Sequence, residues 1–267
     1  MGARLGQHFL ASEGYRKRIL DALHLTGRET VLEIGPGKGA LTDMLAERAG
    51  RLVAVEIDPV LATQMKERYA ESPRVEIVEG DILTVPLEGL AGPVRVLGNL
   101  PYYITSAILL RLFEHARLFD QIVVMVQQEV AERITAKPGS RDYSLLTVTA
   151  AYYTASEKPA RLLFTIPPGA FNPPPRVYSA VVGMHIAPRN IEGEAGFFHM
   201  AKAGFAQKRK TLLNNLRPLY GVDPVRAAMS EIKLAPAARA EELSVEQLIA
   251  LFLALGSPAP AGPGSRS

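Results

Sequence analysis

The chain has 267 residues, 48% hydrophobic and 21% charged, with 30 Lys and Arg against 27 Asp and Glu; this supplies a core and excludes a peptide scaffold or bulk disorder. It has no cysteine, which removes disulfides, zinc thiolates, iron–sulfur clusters and cysteine nucleophiles together and favours a reducing compartment. The net charge of +3 is small but local: residues 1–186 carry 20 bases and 20 acids, whereas Lys202–Arg217 holds five bases and no acid.

The first 18 residues lack the apolar core and cleavage site of a secretory signal, and no apolar run reaches the roughly 18 residues of a membrane span. A cytoplasmic protein with no membrane partner is expected. Short β-branched runs then alternate with helical stretches, the pattern of a parallel sheet covered on both faces. Strands are predicted over Thr30–Gly35, Leu52–Ile57, Val75–Val78, Val94–Gly98 and Ile122–Val126. Helices are predicted over Gly39–Ala49, Pro59–Glu71, Thr105–His115 and Gln128–Ala136. Pro59 stands where a helix accepts proline, in its first turn.

The run Leu145–Tyr153 fits helix or strand equally, and Arg161–Ile166 and Ser179–Ile186 read as further strands around the proline cluster Pro173–Pro175. After a polar linker from Pro188 to Gly196, the chain turns helical over Phe197–Ala206, Lys208–Leu219 and Val245–Leu255. Ser244 with Gln247 forms a capping box for the last of these. The pattern predicts a Rossmann-like α/β domain with a mostly parallel sheet over residues 1–187, a small all-α domain over 188–255, and a disordered Gly, Pro and Ser tail over 256–267.

Gly35, Gly37 and Gly39 follow the first strand and open a helix, so backbone amides can approach a bound cofactor without a Cβ in the way. Glu56, ending the next strand, stands at the distance expected of a ribose-binding acid. This motif alone does not separate a nicotinamide dinucleotide from S-adenosylmethionine, and a ligand-free glycine turn gives the same pattern. Asp81 ends the third strand; it suits an adenine amine or, equally, a cap for its own turn.

Asn99-Leu100-Pro101-Tyr102 follows the fourth strand. An exocyclic adenine amine is a poor nucleophile because its lone pair is delocalised into the ring, so catalysis must oppose that delocalisation. An Asn carbonyl and a backbone carbonyl held by rigid Pro101 can accept its two hydrogens, and Tyr102 can stack on the base. A plain proline turn with a core tyrosine is the alternative.

Gly6-Gln7-His8-Phe9-Leu10, Glu33-Ile34-Gly35-Pro36-Gly37, Val55-Glu56-Ile57-Asp58, Gly80-Asp81, Asn99-Leu100-Pro101-Tyr102 and Phe171-Asn172-Pro173-Pro174-Pro175-Arg176-Val177 occur in this order. Together they resemble the ribosomal RNA adenine N6-dimethyltransferases, of the KsgA type, over nearly the whole chain. The resemblance implies a first domain that is an S-adenosylmethionine-dependent methyltransferase. His8, Leu10, Gly35, Gly37, Glu56, Asp81 and Asn99 would line the cofactor site, with Glu56 on the ribose hydroxyls and Asp81 on the adenine amine. The family usually has Asn where this chain has His8, which alters the polar contact to the methionine end. Phe171 would be a second aromatic wall opposite Tyr102 around a flipped adenine; without the family it reads as core beside a proline turn.

Lys202, Lys208, Arg209 and Lys210 fit phosphate contact, against the alternative of a solvated helix face. The resemblance makes the partner 16S ribosomal RNA in an assembling small subunit, approached by a monomer, and no metal is required for displacement at a sulfonium. Three rivals remain at this level: a large-subunit adenine methyltransferase of the resistance type, a non-catalytic assembly factor, and a nicotinamide-dependent oxidoreductase.

Overall fold

The computed structural model describes residues 8–90 and 92–256. The expected tail over 256–267 lies outside the described residues apart from Gly256, as do Gly6 and Gln7 of the first motif. In chain order the elements are β1 (Phe9–Leu10), α1 (Glu13–Asp21), β2 (Thr30–Ile34), α2 (Thr42–Arg48), β3 (Arg51–Glu56), α3 (Pro59–Arg68), β4 (Val75–Glu79), β5 (Val94–Asn99), α4 (Thr105–Glu114), β6 (Phe119–Gln127) and α5 (Gln128–Ile134). They are followed by α6 (Leu145–Tyr153), β7 (Arg161–Ile166), β8 (Phe171–Asn172), β9 (Ser179–His185), α7 (Glu194–Gly204), α8 (Leu212–Tyr220), α9 (Val222–Glu231) and α10 (Val245–Leu255).

The main sheet has the order β4-β3-β2-β5-β6-β9-β7. β4 through β6 run parallel, and β9 and β7 are antiparallel additions at one edge. The central strands are apolar along their length because helices cover both faces; Val31, Leu32, Val96, Ile122 and Val123 are fully buried. Ile19 and Leu20 of α1 and Leu45 of α2 join one side of this core, with Leu97, Val123 and Val181. The start of α3 follows from sequence: Pro59 occupies its first turn and Asp58 Oδ1 accepts from Val60 N at 2.9 Å, a combination that fixes where the helix begins.

The strand order reverses at β2, which pairs with β3 on one side and β5 on the other. In an open parallel sheet such a reversal leaves a crevice at the carboxyl ends of the strands, because the connections leave to opposite faces. Gly35 and Asn99 border it.

The chain divides into two compact units, and the division departs from the expected boundary. One unit runs to Thr135 and resumes over Tyr153–Pro188; the other takes Ala136–Tyr152 with the described residues from Arg189 on. The second crossing falls beside the expected one after residue 187. Ala136–Tyr152, expected in the first domain, belongs with the second unit because its aromatic residues bury there. Tyr152 stacks on Phe197 at 5.2 Å, meets Phe198 edge-on at 5.0 Å and donates to Glu194 Oε2 at 3.0 Å. Tyr143 donates to the Leu243 carbonyl at 2.7 Å. Leu145–Tyr153, which fits either pattern by sequence, is helical.

Candidate active site

The turn after β2 places Gly35 at φ 68° and Gly37 at φ 58°, in the left-handed region that favours glycine. A Cβ on Gly37 would stand 2.9 Å from the Phe9 ring, so the turn also needs glycine for space. It closes over the end of β3: Gly35 N donates to the Val55 carbonyl at 2.9 Å, and Gly37 N to Glu56 Oε2 at 2.9 Å. Glu56 Oε1 accepts from Asp58 N at 2.9 Å, and the residue is only 2% exposed. Two backbone amides thus hold one buried carboxylate at the cleft wall. Each carboxylate oxygen has a second lone pair, so the group can still accept two hydroxyls.

Glu33, in β2, also lines the cleft and is 2% exposed. Its Oε2 finds no hydrogen-bond partner among the described residues. Burial pushes its pKa from 4.5 to about 8, with the Glu56 and Asp43 carboxylates adding to the rise. The nearby Thr42 hydroxyl opposes the shift without reaching hydrogen-bond geometry. The sequence signal for Glu33 is an acid inside the otherwise apolar run Thr30–Ile34.

On the opposite wall, Asn99 ends β5 and its Nδ2 donates to the His8 carbonyl at 3.1 Å. A carbonyl can only accept, so the amide is oriented with Nδ2 toward His8 and Oδ1 left for the cleft. Pro101 O is occupied by Thr105 Oγ1 at 3.0 Å and Ile104 N at 3.2 Å. The backbone acceptor available beside Pro101 is therefore the Leu100 carbonyl. The Tyr102 hydroxyl is 2.6 Å from Ser179 Oγ on β9, and burial raises its pKa while that hydrogen bond acts in the opposite direction. A tethered, neutral phenol presents a fixed ring.

His8 and Leu10 line the same cleft. The His8 ring stacks on Tyr102 at 5.9 Å and 29°, and its Nδ1 lies 2.8 Å from the Pro173 carbonyl, which makes Nδ1 the protonated nitrogen of that pair. The polar contact of His8 is therefore spent within the protein at Nδ1, and Nε2 is the atom left for a ligand.

Two expected site residues stand elsewhere. Asp81 does not line the cleft; its Oδ1 accepts from Leu83 N at 2.9 Å, the turn cap foreseen as its alternative. Phe171 is 5% exposed, pairs with Leu10 across β1 and β8, and packs in the core with Val181 and Ile166. In this conformation the ring against Tyr102 is the His8 imidazole, and a stacking role for Phe171 requires its ring to leave that packing.

In the second unit, Lys202 is exposed on α7, and Lys208, Arg209 and Lys210 are exposed in the turn before α8. The expected helix from Lys208 starts only at Leu212, because Thr211 Oγ1 caps it by accepting from Asn214 N. Asn215 Nδ2 braces the turn, donating to Gly204 O at 2.6 Å and Gln207 O at 3.1 Å. Lys208 Nζ donates to the Arg141 carbonyl at 3.3 Å, which brings exposed Arg141 beside the turn. That neighbour is 67 residues away in sequence and carried no signal there.

Residues 2–256 match the family model described as ribosomal RNA adenine dimethylase. The ribosomal RNA small subunit methyltransferase A of Koribacter versatilis is 49% identical, over 94% of this chain and 93% of its own length. That of Synechococcus elongatus is 38% identical over 96% and 95%. Among solved structures, a dimethyladenosine transferase from Plasmodium falciparum superposes with TM-score 0.78 at 24% identity, over 92% of this chain and 96% of that one, which speaks to the fold. The 23S rRNA methyltransferase ErmE gives 0.72 at 30% identity, over 92% and 99%. A glycine turn on a switch-point sheet, an oriented asparagine at the cleft and a match over almost the whole length lead to one conclusion: the chain belongs to the ribosomal RNA adenine dimethylase family.

Proposed function

We propose that this chain transfers methyl groups from S-adenosylmethionine to N6 of two adjacent adenines near the 3′ end of 16S ribosomal RNA, two on each, as a monomer acting on an assembling small subunit. The observation that carries the reading is the Asn99 amide, oriented by the His8 carbonyl so that Oδ1 faces the cleft beside the Leu100 carbonyl and the tethered Tyr102 ring.

The residues fit the cofactor. Glu33 offers an unsatisfied buried oxygen to a cation, and Glu56 offers its remaining lone pairs to a diol. When bound, S-adenosylmethionine supplies an electrophilic methyl carbon on a sulfonium. Glu56 then holds the ribose hydroxyls, Gly35 and Gly37 let the backbone approach, and Leu10 with Leu41 keeps water from the wall. Asp81 Oδ1 accepts one bond from Leu83 N, which leaves its second lone pair and Oδ2 for the adenine amine. Asn99 Oδ1 and the Leu100 carbonyl would each accept a hydrogen bond from one N6–H of the unmethylated adenine, and one of them from the single N6–H left for the second transfer. This turns the nitrogen lone pair out of conjugation, while the proton displaced from N6 leaves to solvent. Tyr102 carries the extruded base on its face.

The small-subunit assignment is favoured over a large-subunit target by the relatives at up to 49% identity, against 30% for ErmE. Primer extension on both ribosomal RNAs after incubation with each particle tests it. Stops at adjacent adenines near the 3′ end of the small-subunit RNA are expected, and stops in the large-subunit RNA alone would refute the assignment.

Glu56→Ala removes a charged acceptor of the ribose hydroxyls and should weaken cofactor binding by about 1.5–3 kcal/mol with RNA binding unchanged. Unaltered affinity in a calorimetric titration would remove Glu56 from the site. Lys208, Arg209 and Lys210, exposed on a braced turn, are assigned to phosphate contact with Lys202. Replacing the three turn residues with Ala should lower the slope of log K against log salt by roughly 0.7 to 0.9 per lost contact. Parallel salt plots for wild type and variant would make the turn a solvated surface only.

A further inference from the structure

Glu33 and Glu56 line the cleft, Asp43 on α2 acts electrostatically on Glu33 from outside it, and the structure treats the three acids differently. Glu56 has both oxygens on backbone amides. Asp43, on α2, accepts from Arg68 Nη2 at 2.6 Å and from the Tyr69 hydroxyl. Glu33 has neither kind of partner for Oε2 and is 2% exposed. The cations nearby are engaged elsewhere: Arg68 serves Asp43 and the Lys38 carbonyl, and Lys38 Nζ sits 4.9 Å over the Phe9 ring. From β5 and β1 the facing polar groups are Asn99 and His8, which bond to the His8 and Pro173 carbonyls respectively. On the far wall Tyr102 is bonded to Ser179, and Tyr103 is exposed.

A desolvated carboxylate repelled by two others, with an oxygen that no described group donates to, is more stable with its proton on. The same pocket, with that oxygen ionised, is suited to a cation. We propose that Glu33 is neutral in the empty cleft and yields its proton to solvent when the cationic methionine end of S-adenosylmethionine enters, so that cofactor capture releases a proton. The inference rests on the cofactor reading above and adds a role for Glu33 to it. The carboxyl O–H bond breaks, its electron pair stays on oxygen, and the proton goes to buffer. The ligand brings an ammonium, a carboxylate and a sulfonium, a net charge of +1, which replaces the proton as the partner of the carboxylate. Glu33 thereby acts as a charge gate: a neutral ligand of the same shape gains no ionised partner. Direction follows from linkage: proton release on binding makes affinity rise with pH below the titration range of Glu33 and level off above it.

The test is calorimetric titration of the full chain with S-adenosylmethionine in phosphate and in Tris at pH 7, repeated from pH 6.5 to 8.5, for wild type and Glu33→Gln. Glutamine has the size of the neutral acid, so the empty cleft is preserved, and a melting curve checks the fold. The α-amino group of the ligand titrates in the same range, near roughly 7.7–8.0 in model compounds, so the quantity read is the difference between the two proteins. Wild type should release close to one proton more than Glu33→Gln at pH 7, and its affinity should gain about tenfold between pH 6.5 and 8 beyond any gain in the variant. Equal proton release and parallel pH profiles would overturn the proposal while leaving the cofactor assignment intact. No binding heat in either protein, with both folded, would overturn the cofactor assignment and this proposal with it.

Discussion

Asn99→Ala should slow single-turnover methylation at saturating cofactor by about 10² to 10³ fold, the usual effect of removing one preorganised partner of a transition state. The substitution deletes Oδ1, the proposed acceptor, and also the Nδ2 bond to the His8 carbonyl. Asn99→Asp separates the two effects. It keeps an acceptor at Oδ1 but sets a carboxylate oxygen against the His8 carbonyl, so the side chain loses its fixed orientation. Both variants should keep the wild-type fold, because Asn99 is only partly buried at the end of β5 and its backbone remains in the sheet. A normal rate for Asn99→Ala would end the role assigned to this residue and, with it, the chemical argument for adenine N6.

The second large effect concerns stability against pH. The Glu33 carboxyl is raised from 4.5 to about 8 by burial, with Glu56 and Asp43 adding to it. Between those values the folded chain holds a proton that the unfolded chain has already lost, so stability falls as pH rises through that window and levels off above about 8. The linked loss between pH 5 and pH 8.5 is on the order of 4 kcal/mol for one group so displaced. Glu33→Gln has no proton to exchange. Denaturant unfolding at pH 5 and pH 8.5 should therefore show the variant gaining on wild type by that order at the higher pH. Other titrating groups are common to both proteins and cancel in the comparison. Equal changes in the two would mean that Glu33 ionises normally in the fold.

Much of the fold was legible because long apolar strands and capped helices announce themselves locally. β2, β3, β5, β6 and β7 fall within a few residues of their expected bounds, and Pro59 and Ser244 mark their helix starts as expected. The elements that sequence did not reveal lack such signals. β1 and β8 have two residues each and exist through their pairing with one another, Phe9 with Asn172 and Leu10 with Phe171. α1, Glu13–Asp21, is largely polar and is held by buried Ile19 and Leu20. α9, Val222–Glu231, starts directly after Gly221 and carries Pro224 in its first turn, two residues that interrupt a helical pattern.

The site divides in the same way. Gly35, Gly37, Glu56 and Asn99 sit at or just beyond strand ends, where position in the sheet follows from position in the sequence, and these four meet at one cleft. Asp81 and Phe171 had a ligand role and a local role open to them, and the local one describes where they stand: a turn cap and a core ring. The partnership of Asn99 with His8 spans 91 residues and that of Tyr102 with Ser179 spans 77. No local pattern encodes contacts at that separation. Placement of Ala136–Tyr152 in the second unit likewise depends on where Tyr143 and Tyr152 find partners, which only the folded chain decides.

The central claim is methyl transfer to adenine N6 in small-subunit ribosomal RNA, and mass spectrometry of the RNA nucleosides tests it most directly. Immature small subunits incubated with the chain and S-adenosylmethionine should yield two N6,N6-dimethyladenosines per particle, and mature large subunits none. Methyl groups on any other atom, or N6,N6-dimethyladenosine arising only in the large subunit, would contradict the claim.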